Sequence, residues 1–119
     1  MTTILIAEDS KAQRTLISSF LKKSNFSILT AKDGVETLEK VFEYHPHIVL
    51  LDIIMPYING YDICRRIKAQ PTTSNIKVIF CSSKDTQIDR HWGLKQGADA
   101  YISKPFSPED LIYAINCLK

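Results

Sequence analysis

The stretch from His47 to Gly60 has the sequence HIVLLDIIMPYING, and it decides how the rest of the chain can fold. Its four apolar residues, 48–51, run without alternation, which is typical of a strand buried on both faces of a parallel sheet. Asp52 ends the run, and Pro56 and the Asn59-Gly60 pair predict a loop after it. The Asp52 carboxylate is therefore expected at the carboxyl-end edge of a sheet, where open α/β sheets bind ligands.

The composition is that of an ordinary globular protein. The 119 residues suffice for one compact domain, and 45% of them are hydrophobic and 24% charged. The 15 basic and 13 acidic side chains give a net charge of +2 without a block of like charges, so we expect no nucleic-acid partner. No long apolar segment and no signal peptide are present, so we expect a cytoplasmic protein without a membrane partner.

The three cysteines, Cys64, Cys81 and Cys117, are odd in number and far apart in the sequence. None of them forms a C-x-x-C pair, and each lies among apolar or helical residues. They are predicted to be reduced thiols in the core.

Five strand-like runs alternate with five helix-like segments. The strands are predicted at residues 4–7, 28–31, 48–51, 78–81 and 100–102. This alternation predicts a parallel sheet with helices on both faces, connected by right-handed crossovers. The apolar stripes expected to face the core are Ala12, Leu16, Ile17, Phe20 and Leu21 in the first helix, Val35, Leu38, Val41 and Phe42 in the second, Ile63, Cys64 and Ile67 in the third, Ile88 and Trp92 in the fourth, and Leu111, Ile115 and Leu118 in the fifth. The fourth stripe is the weakest, and Trp92 is interpreted as packing or as part of a partner surface.

Four of the five strands end in side chains that could perform chemistry. Glu8 and Asp9 follow the first strand, Asp52 the third, Ser82 the fourth and Lys104 the fifth. Parallel strands bring these groups to one edge, where three carboxylates repel one another unless a cation lies among them. Oxygen ligands on loops suit Mg²⁺, and an aspartate beside Mg²⁺ can act as a nucleophile toward a phosphoryl group.

These groups, in this order and spacing over the whole chain, resemble the receiver domain of bacterial two-component response regulators. The matching residues are Glu8-Asp9, Asp52 followed by Met55-Pro56 and Gly60, Ser82, and Lys104-Pro105-Phe106. The resemblance implies that residues 1–119 form a receiver domain. It also implies a flavodoxin-like, doubly wound five-stranded parallel sheet with strand order 2-1-3-4-5 and helices on both faces.

The resemblance also assigns roles to single residues. It implies that Asp52 is the phosphoacceptor, and that Glu8, Asp9, Asp52 and the backbone carbonyl of Ile54 hold Mg²⁺. Two further residues, Ser82 and Lys104, would bind the phosphoryl oxygens, and Tyr101 would be an aromatic switch that responds to Ser82.

The function that the resemblance implies is that of a single-domain response regulator, a phosphoacceptor that assists its own phosphorylation and dephosphorylation and is not an enzyme in the usual sense. Its partners would be a histidine kinase or phosphotransfer protein and a downstream protein that contacts the fourth helix, fifth strand and fifth helix. The run Trp92–Ala98 is similar to receivers of twitching-motility and phototaxis systems, which suggests motility or taxis. The alternative is a receiver-like scaffold that acts without phosphorylation.

Two residues depart from the family pattern. The residue after Ser82 is usually Ala or Gly, and here it is Ser83; the residue two after the phosphoacceptor is often polar, and here it is Ile54. Both bear on the lifetime of the phosphoryl group. Lys84 could oppose the effect of Ile54 by pairing with the phosphate or guiding water.

Three other classes fit the sequence less well. A flavodoxin-type electron carrier needs a hydroxyl- and glycine-rich phosphate loop after the first strand, where this chain has Glu8-Asp9. A phosphotransferase of the haloacid-dehalogenase type needs a second aspartate at the position of Ile54. A P-loop enzyme needs the G-x-x-x-x-G-K-[ST] motif, which the sequence lacks.

Overall fold

The computed structural model describes residues 1–83 and 86–118. Its strands are β1 (Thr3–Ala7), β2 (Ser27–Ala31), β3 (Ile48–Leu51), β4 (Lys77–Ser82) and β5 (Ala100–Ser103), and its helices are α1 (Lys11–Lys22), α2 (Gly34–Tyr44), α3 (Gly60–Ala69), α4 (Gln87–Lys95) and α5 (Pro108–Leu118). All strand pairs are parallel, and the order is β2-β1-β3-β4-β5. The predicted fold class and strand order are confirmed.

The sheet separates two apolar layers. Alternate strand residues such as Leu5, Val49 and Phe80 face α2 and α3, while Ile6 and Leu50 face α1 and α5. Residues 48–51 are all buried, because helices cover both faces of this central strand. This two-sided cover is the structural reason that residues 48–51 form an uninterrupted apolar run.

Side chains at the helix starts satisfy the first backbone N–H groups. Ser10, Asp33, Asn59 and Thr86 are the N-caps of α1 to α4, and each accepts a hydrogen bond from the backbone N–H three residues later. Ser107 accepts one from the Asp110 N–H at the start of α5. These caps fix where each loop ends, and thus how long each loop at the carboxyl-end edge is.

The predicted core stripes are correct for α3 and largely for α5, but they are wrong in part for the other helices. In α1 the buried residues are Ile17 and Leu21, whereas Ala12 and Leu16 are exposed. In α2, Val35 and Phe42 are exposed. The apolar residues of an amphipathic helix can form more than one overlapping stripe. The side on which the sheet lies decides which of these stripes is buried.

The largest departure is in α4, where the predicted stripe faces outward. Ile88 is 70% exposed and Trp92 52% exposed, whereas the buried residue of the helix is Gly93. A Cβ at Gly93 would lie 2.9 Å from a ring carbon of Tyr101 and 3.1 Å from one of Phe80. The helix therefore approaches β5 through its smallest residue, which leaves the larger apolar side chains on its outer surface.

Two of the three cysteines are core thiols as predicted, and one is not. Cys64 and Cys81 are buried, and burial raises the pKa of their thiols to about 11 and about 12. Both are therefore protonated at neutral pH. Cys117 is exposed because it lies on the outer face of α5, two residues beyond the buried Ile115.

Among the described residues, no helix combines the length and the apolar character needed to cross a bilayer.

Candidate functional site

The strand register brings the predicted site residues to one edge of the sheet. Ala7 of β1 pairs with Leu51 of β3, so Glu8 and Asp52 both follow directly from paired residues. Ser82 of β4 likewise pairs with Ser103 of β5, directly before Lys104. β1 and β3 are the neighbours at which the strand order reverses, and ligands bind at this place in open α/β sheets.

Three carboxylates converge at this edge. One oxygen each of Glu8, Asp9 and Asp52 lies within 4.8 Å of the others. Glu8 is only 3% exposed, Asp52 is half-buried, and Asp9 is exposed at the mouth. Such a cluster of like charges with one open side is a suitable donor set for a hard divalent cation.

Lys104 is the ammonium that faces these acids. Its Nζ donates to Oε1 of Glu8 and lies 3.5 Å from Oδ2 of Asp52. Burial alone would lower the pKa of Lys104, but the hydrogen bond to Glu8 and the charges of Asp52 and Glu8 raise it. The side chain therefore carries a positive charge within reach of any anion bound at Asp52.

The acid cluster is under electrostatic stress without a cation. The pKa of Asp9 is raised, chiefly by a hydrogen bond with Glu8, and further by burial and by the Glu8 charge. Lys104 offsets this only weakly for Asp9. Among the described residues, Lys104 is the cation paired with this cluster of three carboxylates, so the donor set fits a divalent ion such as Mg²⁺.

Arg14 is part of the site, and the sequence analysis missed it. Its Nη1 donates to the backbone carbonyls of Glu8 and Asp9, at 2.8 and 3.0 Å, and the Ser10 N–H donates to Oε2 of Glu8. These bonds fix the acidic turn between β1 and α1. A basic residue one turn into the helix that follows an acid pair was the signal that could have revealed this role.

Gly60 holds the loop that follows Asp52 against the end of β3. A Cβ there would lie 2.4 Å from the carbonyl oxygen of Asp52 and 2.7 Å from the Cα of Ile53. The Gly60 N–H donates to the Ile53 carbonyl at 2.7 Å. The sequence predicted a turn at this glycine, whereas the structure shows that its main role is to let two backbone segments approach closely.

We therefore expect Gly60→Ala to destabilise the protein by about 2–3 kcal/mol, because the new methyl group must displace the backbone of Asp52. Urea unfolding will measure this change. Asn59→Ala is the matched control, since it removes only the cap that accepts from the Asp62 N–H, which is worth about 1 kcal/mol. A smaller loss for Gly60→Ala than for the control would contradict the steric argument.

Ser82 and Tyr101 lie side by side below the edge. Ser82 is buried and its carbonyl accepts from the Lys104 N–H at 2.9 Å. Burial raises the pKa of Tyr101, and a hydrogen bond with Ser82 opposes that rise. Tyr101 is thus already in contact with Ser82 in this structure, with its ring packed near Phe80 at a centroid distance of 6.2 Å.

The remaining predicted residues lie at the rim or beyond it. Ile54 is 63% exposed, and Ser83 is exposed as well. Lys84, which was predicted to oppose Ile54, lies outside the described residues.

Fold and site together define a doubly wound α/β domain with an acidic, lysine-bearing pocket at the carboxyl edge of its sheet. A family model of the response regulator receiver domain matches residues 4–116. The chain therefore belongs to the response regulator receiver domain family of two-component systems. Receiver domains are phosphoacceptors rather than enzymes in the usual sense, they generally bind Mg²⁺ at an acidic pocket, and they interact with histidine kinases and downstream targets.

Known proteins similar to the chain include two from Pseudomonas aeruginosa. It is 39% identical to protein PilG over 112 residues, which cover 94% of this chain and 83% of PilG. It is 35% identical to protein PilH over 118 residues, which cover 99% and 98%. Other relatives are longer transcriptional regulators, of whose length the chain spans 44%.

Among solved structures, the chain is similar to the BeF₃-activated receiver domain of DrrB. The two are 30% identical and superpose with a TM-score of 0.89, covering 99% of this chain and 97% of that one.

Proposed function

We propose that the chain accepts a phosphoryl group on Asp52 from a histidine kinase or phosphotransfer protein, with Mg²⁺ bound, and signals in the cytoplasm by contact with another protein. The observation that carries this proposal is the convergence of three carboxylates and one ammonium around Asp52 at the edge of the sheet. No other group of three potential metal ligands of this kind occurs among the described residues.

In the proposed transfer, an oxygen of the Asp52 carboxylate forms a bond to phosphorus while the bond from phosphorus to the donor's imidazole nitrogen breaks. The electron pair of the broken bond stays on that nitrogen. Lys104 lies 3.5 Å from the Asp52 carboxylate, so its ammonium can pair with an oxygen of the incoming group. Ser82 supplies a hydroxyl to another oxygen from the end of the neighbouring strand.

Glu8, Asp9, Asp52 and the backbone carbonyl of Ile54 would hold the ion. When bound, Mg²⁺ neutralises charge on the carboxylates and on the phosphoryl oxygens. The Glu8 carboxylate would bind the ion while it also pairs with Lys104. Arg14 fixes the turn that carries Glu8 and Asp9. The same residues would assist loss of the phosphoryl group, in which a water oxygen attacks phosphorus and the Asp52 carboxylate leaves.

The direct test is intact-mass measurement after incubation with acetyl phosphate or phosphoramidate, with Mg²⁺ and with a chelator. We expect the mass of one phosphoryl group to be added only with Mg²⁺. Borohydride reduction converts an aspartyl phosphate to homoserine, and peptide mapping should find it at position 52. Incorporation at another residue, or none from either donor or a kinase, would overturn the proposal and favour the phosphorylation-independent scaffold.

The output would pass through the surface of α4, β5 and α5. Exposed apolar side chains on this side of the molecule, Ile88 and Trp92 on α4 and Tyr113 on α5, support a protein partner there. Similarity to PilG and PilH supports a role in motility or taxis. Tyr101 would transmit a change at Asp52 to this surface, and its position on β5 with a hydrogen bond to Ser82 supports this role.

We expect Ile54→Asn to shorten the life of the phosphoryl group by about tenfold, which corresponds to about 1.4 kcal/mol of barrier. The exposed branched side chain lies two residues after Asp52 and cannot hydrogen-bond an attacking water, whereas asparagine can orient one. The measurement is the decay of the phosphorylated protein in excess Mg²⁺. Tyr57→Asn, which changes another exposed residue of the same loop, is the control. Equal decay of wild type and Ile54→Asn would mean that another residue sets the lifetime.

A further inference from the structure

Arg90 makes three contacts with β5 that the proposed function does not use. Its guanidinium lies over the ring of Tyr101, with Cζ 5.3 Å from the ring centroid. Its Nη1 donates to the Tyr101 carbonyl at 3.4 Å, and its Nη2 donates to the Ser103 hydroxyl. An exposed arginine on α4 thus covers the one aromatic side chain that also hydrogen-bonds Ser82.

These contacts complete an enclosure around Tyr101. Phe80 packs near the ring, and Gly93 of α4 lies so close that it has no room for a Cβ. Arg90 adds a cation over the ring, a stacking interaction that planar guanidinium groups favour. Arg90 is therefore the part of this enclosure that lies at the surface of α4.

The enclosed position of Tyr101 affects the hydroxyl of Ser82. A serine hydroxyl has one proton to donate and two lone pairs that accept. The bond between the two hydroxyls lowers the pKa of Tyr101, so Ser82 is the donor in this structure. With an oxygen bound at the edge of the sheet, the Ser82 proton would turn to that oxygen and the Tyr101 hydroxyl would donate to Oγ of Ser82, and each bond of such a chain strengthens the next. Holding Tyr101 in place therefore favours binding of a phosphoryl group at Asp52.

We infer that Arg90 is a positioning residue that couples the α4 surface to the phosphorylation site by holding Tyr101 against Ser82. Because coupling is reciprocal, a partner carboxylate that draws Arg90 away from Tyr101 would weaken phosphoryl binding, and a partner that leaves the contact intact would not. This inference rests on the proposed function, since it assumes an oxyanion at Asp52.

The test is a titration of the Mg²⁺-containing protein with fluoroberyllate, with the bound ligand observed by ¹⁹F NMR. We expect Arg90→Ala to weaken binding by about three- to tenfold. Arg90→Lys should bind fluoroberyllate more tightly than Arg90→Ala but less tightly than wild type, because lysine keeps the positive charge and lacks the planar guanidinium group. Arg66→Ala, at an exposed arginine on α3, should bind as wild type does.

A double-mutant cycle separates coupling from a general loss of structure. In a Tyr101→Leu background, Arg90→Ala should have no further effect on the affinity, since its target is gone. Equal affinities of wild type and Arg90→Ala, or an undiminished effect in the Tyr101→Leu background, would overturn this inference alone. Binding that is absent from wild type, or unchanged in Asp52→Asn, would overturn the proposed function and the inference with it.

Discussion

Asp52→Asn is expected to abolish phosphorylation completely, with no phosphoryl group detected after any time with donor and Mg²⁺. The amide is nearly the same size as the carboxylate, so the backbone of the loop is preserved, but the amide lacks the anionic oxygen that must attack phosphorus. Glu8 cannot substitute for it, because Glu8 is buried and paired with Lys104.

The measurement is intact mass in a time course, with Glu39→Gln as the control. That variant makes the same change of charge at an exposed acid on α2 and should be labelled as wild type is. The thermal midpoint of Asp52→Asn without metal should not be below that of wild type, because one of three clustered carboxylates is neutralised. Labelling of Asp52→Asn at the wild-type rate would show that another residue is the acceptor.

Asp9→Ala is expected to slow phosphorylation by at least about a hundredfold and to leave the metal-free protein as stable as wild type or more so. The first effect follows from the loss of a proposed Mg²⁺ ligand, which removes charge stabilisation at the reacting group. The second follows from the causes of the raised pKa of Asp9: the hydrogen bond with Glu8 favours its protonated form, while burial and the Glu8 charge disfavour its ionised form.

The sign of the stability effect follows from proton binding. A carboxyl group with a raised pKa in the folded state binds more protons there than in the unfolded state at pH values just above its ordinary pKa of 3.8. Stability contributed by the protonated Asp9 is therefore lost as the pH rises through this window, and it is missing at neutral pH. At neutral pH, burial and the Glu8 charge penalise the ionised Asp9, and Asp9→Ala removes this penalty. Below the window Asp9 is protonated and keeps its hydrogen bond with Glu8, so the advantage of the variant should disappear there.

Thermal melts at neutral pH, with a chelator and with Mg²⁺, test this pair of effects. Wild type should gain stability from Mg²⁺, whereas Asp9→Ala should gain little, because a ligand stabilises only the protein that binds it. Glu39→Gln again is the control. A metal-free Asp9→Ala protein that melts well below wild type would contradict the picture of a strained acid cluster.

These acids illustrate how far sequence reasoning extends. The ends of the strands were predicted to within one residue, and the family resemblance implied their order. The meeting of Glu8, Asp9, Asp52 and Lys104 at one edge was predicted as well, and the structure has it. The prediction succeeded because burial on both faces imposes an unbroken apolar run, and because parallel strands must end at the same edge.

Contacts between residues that are far apart in the chain were harder to predict from the sequence. The sequence pattern gave α4 a weak stripe of Ile88 and Trp92, with Trp92 as packing or partner surface, although α4 packs through Gly93 against Tyr101. The pattern gave no role to Arg14 or Arg90. Arg14 donates to backbone carbonyls of the turn after β1, and Arg90 donates to β5.

The sequence by itself determined the alternation of elements, the sheet class and the chemistry collected at its edge, because these depend on hydrophobic period and on residue type at strand ends. Only the tertiary structure decided which face of each helix is buried, why Gly60 and Gly93 must be small, and which cation lies over Tyr101. Those features depend on how closely two elements approach, and that distance is set jointly by side chains that are far apart in the chain.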